Sequence, residues 1–239
     1  MLKVDNISSG YGRLQILTDV SLEAQPGELT IVVGPNGSGK STLLKSIAGL
    51  CNIYKGTVTM NEVTLSGHPP HVIARKGIAY LPQTESVFTK LSVTENFKMA
   101  AYMVSKEEYE SRLNDSLEVF PQLRSYLQSK VVNLSGGERQ MVAMTMAMLR
   151  KPEVILFDEP TANLSPKYAT DVLKTIQKLG KERGLTIVLV EQNAKRALEI
   201  GDKAYLLVGG KNAFVGTAHD LLSHQELARM YLGMKVASA

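Results

Sequence analysis

Short apolar runs punctuate the chain, and the stretches between them carry apolar residues every third or fourth position. Leu29, Ile31, Val32 and Val33 fall in one run, 154–157 is a second and 185–190 a third. Runs this short and this apolar predict strands buried on both faces. Segments 2–7, 15–23, 56–60 and 77–81 also read as strands, with Pro26-Gly27 as a turn before the run at 28–33. Helical spacing recurs at Leu43, Leu44, Ile47 and Leu50, then over 166–181 and 194–200. Between 92 and 128 the pattern is helical and the charge density rises. A hairpin is expected from 204–208 and 212–215 around Gly209-Gly210-Lys211, and a last helix over 220–232. Strands alternating with helices predict an α/β fold with a mostly parallel core sheet. The first strands add an antiparallel β part. No repeat, low-complexity tract or long linker divides the chain, so 1–239 reads as one unit with a helical lobe inserted at about 87–140.

Composition narrows this little. The 239 residues are 44% hydrophobic, enough for a substantial core. The absence of a run of 18 apolar residues predicts no membrane-spanning helix, and the opening MLKVDNISSGYG lacks the apolar centre of a secretory signal. The single Cys51 excludes an intrachain disulfide, fits a reducing compartment, and is expected as a small core residue. The net charge of +4 is scattered, and with no Trp and few aromatics there is no platform for stacked bases. Nucleic acid is therefore not an expected partner.

Local motifs change the picture. GPNGSGKST, from Gly34 to Thr42, satisfies G-x-x-x-x-G-K-[ST] between an apolar strand and a helix, the context a phosphate-binding loop requires. Gly34, Pro35, Asn36, Gly37, Ser38, Gly39 and Thr42 would let backbone N–H groups close around phosphates. Lys40 would reach the β and γ oxygens, and Ser41 would offer its hydroxyl to Mg²⁺. VILFDEP then places Asp158 and Glu159 at the carboxyl end of a buried strand, where open α/β sheets bind ligands. Asp158 is expected in the metal shell, and Glu159 is free to polarise a water. An exposed acidic turn is the plainer alternative for the pair, and the phosphate loop argues against it. The expected class is a P-loop NTPase binding ATP and Mg²⁺.

A second anion-binding signal lies at Leu134, Ser135, Gly136, Gly137 and Glu138, where Ser-Gly-Gly opens a long helix. The order GPNGSGKST, LPQ (81–83), LSGGERQ (134–140), VILFDEP resembles the ATP-binding subunits of ABC transporters across essentially the whole chain. The resemblance implies that Tyr11 stacks on adenine. It gives Gln83 contact with Mg²⁺ and the attacking water, and a relay to membrane subunits. It makes Glu159 the general base, and it places LSGGERQ over the ATP of a second chain in a head-to-tail dimer. A finer similarity, to importers of branched-chain amino acids, rests on LVEQNAKRALEIGDKAYLL from Leu189, SVTENFKMAAY from Ser92 and the closing MYLG. Import of another small polar solute and a non-transport ATP-gated clamp are the alternatives. The implied partners are a second ATP-binding subunit, two transmembrane permease subunits and, indirectly, an extracytoplasmic solute-binding protein. The implied place is the cytoplasmic face of the membrane.

Two departures from the family pattern stand out. Ala162-Asn163-Leu164-Ser165 replaces the usual S-A-L-D, so Ser165 stands where Asp is expected. Gln192 stands at the switch position, where most members carry histidine; its amide can still donate and accept. A neutral switch residue at this chain's site favours a paralogous partner over a homodimer, though a homodimer stays open. The methionines at 141, 144, 146 and 148 read as core behind LSGGERQ. Phe88 and 92–103 read equally as lobe core or as a groove for a membrane-subunit helix.

Overall fold

The computed structural model describes residues 1–84 and 86–231. In chain order the strands are β1 (Leu2–Tyr11), β2 (Leu14–Ala24), β3 (Leu29–Val33), β4 (Asn52–Met60), β5 (Val63–Thr64), β6 (Ile78–Leu81), β7 (Val154–Asp158), β8 (Thr186–Val190), β9 (Lys203–Val208) and β10 (Lys211–Thr217). The helices are α1 (Lys40–Ile47), α2 (Pro70–Arg75), α3 (Val93–Ala100), α4 (Lys106–Val119), α5 (Gly136–Leu149), α6 (Pro166–Arg183), α7 (Ala194–Leu198), α8 (Ala218–Ser223) and α9 (Gln225–Tyr231). Among the described residues none is long and apolar enough to cross a membrane.

Every residue of β3, β7 and β8 is buried, as their apolar runs predict. They form the centre of a six-stranded sheet in the order β10-β9-β3-β8-β7-β6, parallel except for the β9–β10 hairpin. Alternate residues feed two cores. Ile31, Val33, Phe157 and Leu189 pack with α3, α5 and α6. Val32, Leu156, Val188 and Val190 face the other way, onto Leu43, Leu44 and Ile47 of α1. Beyond α1 lies an antiparallel sheet, β2-β1-β4-β5, whose Leu2, Val4, Ile7, Leu17 and Val58 close the second core.

Several boundaries differ from expectation for local reasons. β4 begins at Asn52, not 56, because Gly56 lies inside the strand opposite an irregularity of β1. Any Cβ there would meet the Asp5 and Asn6 carbonyls at 2.4 Å. The expected last helix starts earlier and is broken. Thr217 and Asp220 form a reciprocal N-cap for α8, and His224 leaves helical geometry before α9. The expected position 232, like residues 232–233 of MYLG, lies outside the described residues. Cys51 is half-exposed in a bend rather than in the core. The helical stretch expected over 92–128 comprises α3, α4 and a 3₁₀ turn at Pro121–Tyr126.

Candidate functional site

β3 delivers the chain to the carboxyl edge of the parallel sheet, where the phosphate loop turns into α1. Gly34 passes so close to β9 that a Cβ would sit 2.1 Å from the Leu207 carbonyl oxygen. Gly39, the residue before the helix, has φ 99°, a backbone that side-chain-bearing residues rarely adopt. Lys40 is buried, and its ammonium donates to the Gly34 and Pro35 carbonyls at 2.9 and 3.0 Å. Burial lowers its pKa, against the opposing pull of Glu159 and Asp158. The Ser38 hydroxyl is buried in the same loop without a hydrogen-bond partner, as suits a loop shaped for an anion.

The two acids arrive from β7. Asp158 is 4% exposed, and each of its oxygens receives a donor: Ser41 Oγ at 2.8 Å and the Tyr80 hydroxyl at 3.0 Å. Burial, then the Asp158 charge, pushes the Tyr80 phenol well above its ordinary pKa, so it stays a donor. Glu159 follows with φ 48°, and its carboxylate accepts from Gln83 Nε2 at 3.1 Å. Ser41, Asp158 and Gln83 thus bring a hydroxyl, a carboxylate and an amide to one edge. Among the described residues no group of three or more His, Cys, Asp or Glu could hold a metal. This sparse oxygen set fits Mg²⁺, which keeps waters and phosphate oxygens in its shell, and does not fit a dedicated protein cage.

Tyr11 ends β1 and is 43% exposed, and the Lys45 ammonium lies 6.0 Å from its ring centre. Tyr54 braces the turn that follows by donating to the Gly12 carbonyl at 3.0 Å. An exposed ring beside the phosphate loop offers a face for a base.

The second anion signal is built differently. Ser135 caps α5, and its Oγ accepts from the Glu138 N–H at 3.4 Å while the Glu138 carboxylate accepts from the Ser135 N–H at 2.7 Å. This reciprocal box occupies only acceptor capacity of the Ser135 hydroxyl and leaves its proton, like the N–H groups of Gly136 and Gly137, outside the box. Leu134 is buried beneath the turn. A Cβ on Gly136 would meet Leu164 at 3.0 Å and one on Gly137 would meet Tyr168 at 3.1 Å, so the turn before α6 packs tightly behind the first glycine and α6 itself behind the second.

Gln192 lies just past β8 and is exposed; its N–H donates to Glu191 Oε2 at 3.2 Å. Three contributors had no clear sequence signal: Tyr80, Glu191 and Asn96. Asn96 is fully buried, and its amide bonds Phe88 N, Phe88 O and Ser92 O at 2.7, 3.0 and 2.9 Å. It thereby ties Phe88 to the start of α3. Phe88 rims a cleft of about 600 Å³ between β6, α3 and α5, walled also by Met99, Tyr102, Met103 and Met146. Tyr102 and Met103 are 74% and 69% exposed.

The model of the ABC transporter family matches residues 17–162. A probable branched-chain amino acid transport ATP-binding protein, LivF of Archaeoglobus fulgidus, is 51% identical over 98% of this chain and 99% of its own. BraG of Pseudomonas aeruginosa, a high-affinity branched-chain amino acid transport ATP-binding protein, is 38% identical over 98% and 100%. A dimeric post-hydrolysis structure of the ATP-binding cassette MJ0796, bound to ADP and Pi, superposes with a TM-score of 0.78 at 26% identity, covering 91% of this chain and 99% of that one. The chain belongs to the ABC transporter family and is one of its ATP-binding, ATP-hydrolysing subunits.

Proposed function

We propose that the chain is the motor subunit of an importer of branched-chain amino acids. It works with a second ATP-binding subunit, a paralogue or a copy, on two transmembrane permeases at the cytoplasmic face of the membrane. An extracytoplasmic binding protein supplies the solute. The substrate reading rests on LivF and BraG, similar from end to end. The whole chain acts as one ATP-binding unit, with about 87–140 as its inserted lobe. The cleft beside Phe88 is where a permease helix docks; its exposed Tyr102 and Met103 support an apolar partner.

One observation carries the catalytic reading: the adjacent acids Asp158 and Glu159 each accept from a different partner, Ser41 Oγ of the phosphate loop and Gln83 Nε2. Residues 34–42 hold the ATP phosphates through the N–H groups of the loop. Lys40 exchanges its loop carbonyls for phosphate oxygens, and Tyr11 receives the adenine. Ser41, Asp158 and Gln83 would hold Mg²⁺, which would neutralise charge on the β- and γ-oxygens. Glu159 draws the proton from the attacking water, and its bond from Gln83 keeps the carboxylate turned to the site. Gln192 orients that water from the neighbouring strand end. Leu134, Ser135, Gly136, Gly137 and Glu138 serve the ATP on the partner's loop.

Glu159→Gln tests the assignment. It is expected to keep ATP affinity, to lose about 10²- to 10⁴-fold in hydrolysis, and to accumulate as an ATP-bound dimer in size-exclusion chromatography. Near-normal turnover would remove Glu159 from the role of base.

A further inference from the structure

Glu159 holds a backbone conformation, φ 48°, that a side-chain-bearing residue rarely adopts. Such strain persists only where neighbours over-determine it. The residue after it, Pro160, has no N–H to give. The constraint therefore falls on the two N–H groups on either side, and both are received at the end of β8. Glu159 N donates to the Val190 carbonyl at 2.9 Å, the last step of the β7–β8 ladder. Thr161 N finds no further backbone partner there and donates instead to the Glu191 carboxylate, Oε1, at 3.1 Å. The other oxygen of the same carboxylate accepts from Gln192 N at 3.2 Å. Glu191 is 2% exposed, so its charge is withdrawn from water and these N–H groups do the work of solvent.

We infer that Glu191 is a positioning residue: one buried carboxylate pins the loop carrying Glu159 to the loop carrying Gln192, so that base and switch residue face the γ-phosphate in fixed register. The inference rests on the reading of Glu159 as base. Burial raises the pKa of Glu191 against the hydrogen bonds it receives, and the nearby Glu159 charge adds to that rise. The Thr161 bond ties loops about thirty residues apart in sequence, one step beyond the Glu159–Val190 bond of the ladder.

Glu191→Gln is the informative substitution. It is nearly isosteric, yet its amide nitrogen must face one of the two N–H groups, and that bond is lost. In the full-length protein, amide hydrogen exchange around Thr161 or Gln192 is expected to quicken about tenfold or more, while exchange in β3 and α1 is unchanged. ATP affinity is expected to stay within about twofold, and single-turnover hydrolysis to fall about 10- to 100-fold, the cost of a slightly misplaced base. Glu191→Ala should release both segments together. Unchanged exchange at both segments in Glu191→Gln would overturn the clamp, as would exchange that quickens equally through the whole sheet, which is the mark of a general stability loss. The exchange readout does not depend on hydrolysis. If Glu159→Gln retained turnover while the clamp still opened in Glu191→Gln, the base assignment would fail and the clamp would stand.

Discussion

The chain opens two helices with glycine-rich turns, and the two turns are solved in opposite ways. Before α1, Gly39 holds φ 99° and Lys40 is folded onto the carbonyls of its own loop, with a buried, partnerless Ser38 hydroxyl beside it. Two carboxylates stand within reach, so positive and negative groups are concentrated under low exposure. Before α5, Ser135 and Glu138 satisfy each other as in any well-capped helix, and the site is open to solvent. The first turn is organised around a ligand and carries the means to act on it. The second is a stable helix start that needs no ligand and still presents outward donors. On the proposed reading of a head-to-tail pair, the partner's phosphate loop brings the second set of chemical groups to α5.

The difference between the two turns is largest at Ser135. If the second turn serves the partner's ATP as proposed, an arginine at this position would project into the space the γ-phosphate enters. Ser135→Arg is expected to abolish ATP-driven dimerisation and to leave monomer ATP affinity within about twofold, since no residue around Lys40 is touched. Fluorescent-nucleotide titration of the monomer and light scattering with ATP read the two separately. A matching loss of monomer affinity would place the second turn in cis and erase the distinction.

Gln192 belongs to the phosphate-loop side. Its amide can donate toward phosphate and accept from water, but it brings no positive charge to the developing transition state. Gln192→Ala is expected to slow single-turnover hydrolysis about 10- to 100-fold, and Gln192→His to preserve or raise it. A wild-type rate in the alanine variant would make Gln192 a bystander and would withdraw the argument for a paralogous partner.

What was legible in the sequence follows from distance along the chain. The buried strands announced themselves because a parallel sheet covered on both faces demands unbroken apolar runs. The phosphate loop did so because its backbone geometry is set within nine residues. The acids at 158 and 159 gained meaning from the strand before them. Tyr80 carried no such signal: its bond to Asp158 joins residues 78 apart, and within β6 it is one aromatic among apolar neighbours. Glu191 lies beside the switch position in sequence with no signal of its own, and only the fold shows its carboxylate turned inward. Phe88 could not be told from core by spacing; the structure leaves it half exposed on the cleft wall, while Phe97, nine residues on, is fully buried. The methionine run also divides. Met144 is core, while Met146 is partly buried and walls the cleft.

The smallest expected effect tests whether the second turn is closed by its own side chains. Burial alone would raise the Glu138 pKa; the bonds from the Tyr126 hydroxyl and from Ser135 outweigh it, so the pKa is lowered. A carboxyl with a depressed folded-state pKa stabilises the native protein at pH values above its unfolded pKa. That contribution is lost as the pH falls through the folded value. Glu138→Gln keeps an acceptor for the Ser135 N–H but removes the charge at the positive end of α5, so the expected cost near neutral pH is about 0.3–1 kcal/mol. Solvent and salt partly screen this half-exposed carboxylate, and the cost should shrink in high salt. Thermal melts of both proteins at stepped pH should show the difference at neutrality and none well below the ordinary glutamate range, about pH 4. A difference that persists in acid would assign the effect to shape instead of charge. Unaltered stability with weakened ATP-driven dimerisation would mean that Glu138 acts across the interface, and the cap would then be part of the partner's site and not merely its support.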